Sequence, residues 1–86
     1  MEKWALITGA SRGIGRAIAL ELSRAHQLHI IVNYASNADA ARSTADELAA
    51  LGVRTYLAPF DVRDAQAVTA GIDGWRAANP GGRIEV

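Results

Sequence analysis

Three glycines near the start of the sequence have the spacing of a phosphate-binding turn. Gly9, Gly13 and Gly15 form a G-x-x-x-G-x-G pattern between a short apolar run and an amphipathic one. Gly9 permits a sharp turn, Gly13 lets the backbone approach a pyrophosphate, and Gly15 lets a helix pack closely on the preceding strand. The free N–H groups of the first helical turn would then face the phosphate charge. The same glycines would also suit a tight strand-to-helix turn that binds nothing.

The strands that must position this turn are predicted from short apolar runs. Residues 4–7, 28–34 and 53–58 form three such runs, and residues 84–86 resemble the start of a fourth. Pro59 follows the third run, which suits a strand at the edge of a sheet. We therefore expect an α/β fold with a Rossmann-type doubly wound parallel sheet in the order 3-2-1-4. Only the N-terminal half is present, as β-α-β-α-β-α-β.

Helices are predicted between the strands from apolar spacing and from capping residues. Ile14, Ile18 and Leu22 recur every four residues and predict one buried face on the first helix. Asn37 and Asp64 are suitable N-caps for the second and third helices. Each helix is long enough to cross over from one parallel strand to the next.

Composition limits the classes of partner and compartment. Nine basic and nine acidic side chains give zero net charge, so no basic surface is expected for nucleic acid or an anionic membrane. There is no cysteine, and His26 and His29 fall on different predicted elements, so we expect no metal site. No apolar run approaches the roughly 20 residues of a membrane span, and no secretory signal is evident. The sequence thus predicts a cytoplasmic protein with one small domain over residues 1–86.

The glycine turn and its surroundings resemble a known family. Residues 5–15 read ALITGASRGIG, which resembles the cofactor loop of the short-chain dehydrogenase/reductase family. Asp61 and Val62, after the third strand, resemble that family's adenine-contact element. The run at residues 11–19 is similar to that of 3-oxoacyl-[acyl-carrier-protein] reductases, a group within the family. The resemblance covers all 86 positions.

The resemblance implies a set of cofactor contacts along the chain. The phosphate-binding loop would comprise Gly9, Ser11, Arg12, Gly13, Ile14 and Gly15. Asp61 would accept a hydrogen bond from the adenine amino group, with Val62 against the ring. Asp61 has a second interpretation, as a turn or cap residue before the third helix.

The residues after the second strand indicate which nicotinamide cofactor is bound. NAD-binding proteins usually place an acid there for the ribose 2′-hydroxyl, whereas residues 33–36 carry none. A carboxylate would repel a 2′-phosphate, and Arg12 can reach the same region and pair with it. Asn33 and Ser36 can add hydrogen bonds, and Tyr34 either borders this region or simply packs. These features favour NADP(H), although Arg12 could also be a solvated loop arginine.

Catalytic residues are not evident in this sequence. The resemblance implies hydride transfer from the nicotinamide to a carbonyl, with a tyrosine as proton donor and a lysine four residues later. Lys3 is the single lysine and precedes both tyrosines. The residue four after Tyr34 is Ala38, and four after Tyr56 is Phe60. We therefore assign no catalytic residue and no metal ligand.

Three hypotheses about function follow. The first is the N-terminal, cofactor-binding part of an NADPH-dependent carbonyl reductase whose chain stops inside the fourth strand. The complete enzyme would act on a small-molecule or acyl-carrier-bound carbonyl substrate and form a homo-oligomer. The second is a nucleotide-binding module without catalysis. The third is a chain whose site is completed by a second chain.

Overall fold

The computed structural model describes residues 2–86 and alternates four strands with three helices. The elements in chain order are β1 Glu2–Ile7, α1 Gly13–His26, β2 His29–Tyr34, α2 Ala38–Ala50, β3 Thr55–Pro59, α3 Ala65–Ala78 and β4 Gly82–Ile84. All strand pairs are parallel, and the spatial order is β3-β2-β1-β4. This confirms the predicted α/β, Rossmann-type arrangement, including the place of β3 and its final Pro59 at a sheet edge.

Helices cover both faces of the sheet. Neighbouring residues of each strand point to opposite faces, so successive side chains enter different cores. Ile30 and Val32 of β2 lie in a cluster with residues of α1 and α2, including Leu48. Ile31 points the other way, into a cluster with Trp4 and residues of α3. Because both faces of the sheet are covered, each strand is apolar at successive positions, which explains the continuous apolar runs of the sequence.

The starts of the three helices differ in how they are capped. The Asn37 side chain accepts a hydrogen bond from the backbone N–H of Ala40, and Asp64 accepts from the first turn of α3. Both predicted caps are thus confirmed. At the start of α1, Arg12 occupies the N-cap position in an extended conformation and makes no side-chain capping bond. No acidic residue lies in the first turn of α1.

The buried face of α1 is only partly the predicted one. Leu22 packs against the core as expected, but Ile14 is 81% exposed and Ile18 is 46% exposed, so the prediction that these two face the core is wrong. Small residues take the core-facing positions instead, at Gly15, Ala19 and Ser23. Small side chains let a helix axis approach a sheet closely, and that close approach turns the larger isoleucines outward.

Most strand boundaries differ from prediction by one or two residues, and the starts of β3 and β4 show why. β3 begins at Thr55, which pairs with Ile30, although Val53 is buried just before it. β4 begins at Gly82, which pairs with Glu2, two residues earlier than expected. In both cases the parallel register with the neighbouring strand decides the boundary, and local apolarity does not reveal that register.

Candidate nucleotide-binding site

Two clefts lie at the carboxyl ends of the central strands, where open α/β sheets bind ligands. The first, here called the Asp61 cleft, has a volume of about 300 Å³. It is lined by Thr8, Gly9, Asn33, Ala35, Phe60, Asp61, Val62 and Arg63. The second, the Arg12 cleft, has a volume of about 330 Å³. It is lined by Gly9, Ser11, Arg12, Tyr34, Ala35, Ser36 and Asn37.

Most of the predicted site residues are brought together by these clefts. Gly9 and Ala35 border both, so the clefts are adjacent. Eight of the eleven predicted cofactor contacts line one or both clefts, and the other three, Gly13, Ile14 and Gly15, form the start of α1. Ala35 was not among the predicted contacts, and its place at the junction depends on how β2 ends beside the loop.

The glycine loop has the backbone geometry that its sequence predicts. Gly9 has φ +62° and Gly13 has φ +66°, a left-handed conformation that glycine adopts without strain. A Cβ on Gly15 would lie 2.3 Å from the carbonyl oxygen of Gly9. The loop thus folds back over the first turn of α1, and only a residue without a side chain fits beneath it.

Two buried polar side chains hold this loop from behind. Asn33 Oδ1 accepts from the Gly9 N–H at 3.4 Å, and the Asn33 carbonyl accepts from the Ala10 N–H at 3.0 Å. On α2, the hydroxyl of Thr44 donates to the nearer of two carbonyls, that of Ser11 at 3.0 Å, and the Ala40 carbonyl of its own helix lies at 3.2 Å. The loop is therefore anchored to both β2 and α2.

Thr44 is a site-supporting residue that the sequence analysis missed. It is fully buried and lies at helical spacing from Ala41 and Leu48, which are also fully buried. A hydroxyl in the middle of such an apolar stripe needs a hydrogen-bond partner. That pattern was the available signal, although it could not identify Ser11 as the partner.

Asn33 is bonded within the protein, which corrects the expectation that it donates to a 2′-phosphate. Its side-chain amide donates to the carbonyls of Ala58 at 3.1 Å and Phe60 at 3.0 Å, and the residue is only 2% exposed. An asparagine amide has two hydrogens, and both are used. Asn33 therefore has no free donor for a ligand.

Arg12 is the free cation at this site. Every other arginine in residues 2–86 has a carboxylate oxygen within 4 Å, whereas Arg12 has none. Arg12 is exposed, borders its cleft together with Ser36, and immediately precedes the uncapped start of α1. An unpaired guanidinium beside free helical N–H groups is an arrangement that attracts an anion.

Tyr34 combines the two predicted possibilities. It is half-buried and packs against the core cluster shared with α1 and α2. It also borders the Arg12 cleft. Its ring therefore forms part of the wall of that cleft while it contributes to the core.

Asp61 supplies an ionised acceptor to the neighbouring cleft. Its carboxylate accepts hydrogen bonds from the side chain and the backbone N–H of Arg63. The side-chain bond, followed by the backbone bond, lowers the pKa of Asp61 to about 2. The bond to the backbone N–H two residues ahead realises the predicted turn role. Val62, which is 54% exposed, adds an apolar surface beside it.

The pKa of Asp61 should depend on Arg63. In the Arg63→Ala variant we expect the carboxyl pKa to rise from about 2 towards its ordinary 3.8, because the hydrogen bonds from the guanidinium are lost. Since the folded-state pKa is lowered, the pair stabilises the fold above about pH 4. That contribution is lost as pH falls from about 4 to about 2.

A carbon-detected NMR titration of the Asp61 carboxyl would measure this change. Arg76→Ala, which removes another exposed arginine, on α3, is the matched control and should leave the Asp61 midpoint unchanged. An unchanged midpoint in Arg63→Ala would contradict the assigned cause.

The sequence of this chain matches a known protein family over nearly its whole length. Residues 3–86 match the family described as short chain dehydrogenase. The chain belongs to this family. The family resemblance read from residues 5–15 and from Asp61 is thereby confirmed.

Short-chain dehydrogenase relatives include reductases with several kinds of substrate. The 3-oxoacyl-[acyl-carrier-protein] reductase FabG of Staphylococcus aureus is 44% identical over 70 residues, which cover 81% of this chain and 28% of that protein. The 1-cyclohexenylcarbonyl-CoA reductase of Streptomyces collinus is 46% identical over 68 residues, covering 79% of this chain and 24% of that one. This chain thus spans less than a third of the length of these curated relatives.

A solved short-chain dehydrogenase structure resembles both the fold and the sequence. The landomycin C-6 ketoreductase LanV, solved with bound NADP and rabelomycin, matches with a TM-score of 0.78 and 38% identity. The match covers 90% of this chain and 31% of that one. Most of the fold described above is therefore shared with a ketoreductase that was solved with NADP bound.

The residues that the structure describes contain neither a metal-ligand cluster nor a membrane-spanning helix. Within residues 2–86, no group of three or more histidine, aspartate or glutamate side chains could hold a metal ion. None of the three helices has both the length and the apolarity needed to cross a bilayer. The two clefts around Gly9 are thus where the predicted site residues converge.

Proposed function

We propose that this chain binds NADP(H) and forms the cofactor-binding part of a carbonyl reductase. The substrate class we propose is a 3-oxoacyl group carried on an acyl carrier protein. The observation that carries the cofactor assignment is the unpaired guanidinium of Arg12 at a cleft whose lining contains no carboxylate. The substrate class rests on the similarity to the FabG relative.

Each part of the cofactor has a suitable group in the two clefts. The N–H groups at the start of α1 would hold the pyrophosphate, because no side chain caps them. Arg12 would pair with the 2′-phosphate, and the Ser36 hydroxyl borders the same cleft. In the neighbouring cleft, Asp61 would accept from the adenine amino group and Val62 would contact the ring.

The nicotinamide supplies a hydride for carbonyl reduction when the cofactor is bound. The residues of this chain would bind and orient the adenosine and phosphate portions. Neither tyrosine is followed by a lysine at the fourth position, so the proposal places the proton donor outside these 86 residues. The cytoplasmic location and the homo-oligomeric state of the complete enzyme stay predictions.

Ala35 offers a direct experiment on cofactor choice. Adenosine 2′,5′-bisphosphate and adenosine 5′-monophosphate differ only in the 2′-phosphate, and calorimetry on the purified chain would compare them. We expect the bisphosphate to bind about tenfold more tightly or better, as a charge-assisted pair would provide. Ala35→Asp should abolish this preference, because Ala35 is exposed at the junction of the clefts and a carboxylate there repels the 2′-phosphate.

The controls separate the parts of this proposal. Ala70→Asp adds the same charge on the exposed face of α3, outside both clefts, and should keep the preference. Equal affinities of the unmodified chain for the two nucleotides would overturn the NADP assignment. If neither nucleotide binds, the nucleotide-binding function itself is wrong.

A further inference from the structure

We infer that Asn33 is a positioning residue that sets the width of the Asp61 cleft and thereby the affinity for adenosine nucleotides. The inference rests on the proposed nucleotide-binding function. It goes beyond it by assigning a role to a side chain that itself has no free donor for a ligand. The role follows from the hydrogen bonds that Asn33 makes and from their directions.

Asn33 lies between the two walls of the cleft and is bonded to both. One wall begins at Gly9, whose N–H donates to Asn33 Oδ1. The other wall continues from Phe60 into Asp61, and the Phe60 carbonyl accepts from Asn33 Nδ2 at 3.0 Å. All of these residues line the same cleft. A single side chain is therefore bonded both to the glycine loop and to the adenine-contact segment.

The Asn33 side chain bonds to the glycine loop beyond the last paired residues of β1 and β2. The register between β1 and β2 runs only to the pair of Ile7 and Val32, so Gly9 lies beyond it. Beyond this point the loop is bonded to β2 by the Ala10 N–H, which donates to the Asn33 carbonyl, and by Asn33 Oδ1. Without the side chain, the Gly9 N–H would lose its bond to β2, and the loop would be held only by the Ala10 bond to β2 and the Thr44 bond to α2.

The same side chain reinforces the β3 wall. Asn33 is paired with Ala58 in the parallel register, and its amide donates to the Ala58 carbonyl as well as to Phe60. With 2% exposure, water does not replace these bonds when they are lost. Both walls are thus coupled through one buried amide, which favours a cleft of one width.

The main test is nucleotide affinity measured against stability. We expect Asn33→Ser to weaken adenosine 2′,5′-bisphosphate binding by about tenfold or more, because a hydroxyl cannot reach both walls. Asn33→Thr is the second variant, since threonine is better suited to a strand if the serine variant does not fold. Ile30→Val, at a buried position near the other end of β2, is the control for stability loss alone.

If Asn33 affected nucleotide affinity only by stabilising the fold, every variant with the same loss of stability would lose the same affinity. We expect Ile30→Val to keep its affinity even where its melting temperature falls as far as that of the Asn33 variants. Unchanged affinity in a folded Asn33 variant, while the unmodified chain binds the nucleotide, overturns the inference. Failure of the unmodified chain to bind would instead count against the proposed function.

Amide exchange gives a readout that needs no variant. In the unmodified chain, the side-chain amide hydrogens of Asn33 and the backbone N–H of Gly9 should exchange slowly by NMR, and more slowly with the bisphosphate bound. If the Asn33 amide exchanges as fast as that of exposed Asn37, the bonds to the two walls do not persist and the inference fails.

Discussion

Replacing Arg12 by alanine should weaken NADPH binding by about 10- to 100-fold and change NADH binding little. Arg12 is the one arginine of residues 2–86 without a carboxylate partner, and it borders a cleft that contains no acid. Its guanidinium is therefore available to a 2′-phosphate, which NADH lacks. Calorimetric titration of the purified chain with each cofactor would measure the two affinities.

Arg24→Ala is the matched control for this prediction. Arg24 also belongs to the α1 region and is exposed, but it lies near the far end of the helix and pairs with Glu21. Its loss changes the net charge equally, so a general electrostatic effect would weaken both variants alike. An equal loss of NADPH and NADH affinity in Arg12→Ala would contradict the assigned role.

The second large effect is expected from Gly15→Ala. The added Cβ would lie 2.3 Å from the Gly9 carbonyl oxygen and 3.1 Å from that of Thr8. Backbone atoms cannot move aside as a flexible side chain can, so the glycine loop must shift. Overpacking of this kind costs about 1–3 kcal/mol, which lowers the melting temperature of a domain this small by about 5–20 °C. Nucleotide binding should fall at least tenfold because the loop is displaced.

Gly81→Ala is the control for the glycine-to-alanine change itself. A Cβ at Gly81 would have no atom within 4 Å, so the substitution should leave both melting temperature and affinity nearly unchanged. Thermal unfolding followed by circular dichroism, with calorimetry on the same samples, would compare the two variants. A Gly15→Ala chain that melts and binds like the Gly81→Ala chain would show that the loop is not held as closely as described.

Local features of the sequence were the most predictable part of this protein. The caps at Asn37 and Asp64 follow from side chains that accept bonds from N–H groups two or three residues away. The turn at Gly9 was predicted from residue type and spacing, and its left-handed φ is consistent with that turn. Strand order was also predictable, because parallel strands joined by helices allow few arrangements.

The exposed face of α1 was not predictable in the same way. Apolar spacing identifies a stripe, but Gly15, Ala19 and Ser23 form a second stripe at the same spacing. Which of the two faces the sheet depends on how closely the helix approaches it. In the tertiary structure the small residues face the sheet, and Ile14 is 81% exposed.

The sequence by itself determined the fold class, the glycine loop and the family, because each depends on short-range patterns. Only the tertiary structure decided what Asn33 and Thr44 do. The carbonyl partners of Asn33, one on β3 and one just after it, lie 25 and 27 positions away, and Ser11 lies 33 positions from Thr44. Burial removes water as an alternative partner, so these side chains bond to whichever backbone groups the packed fold brings to them.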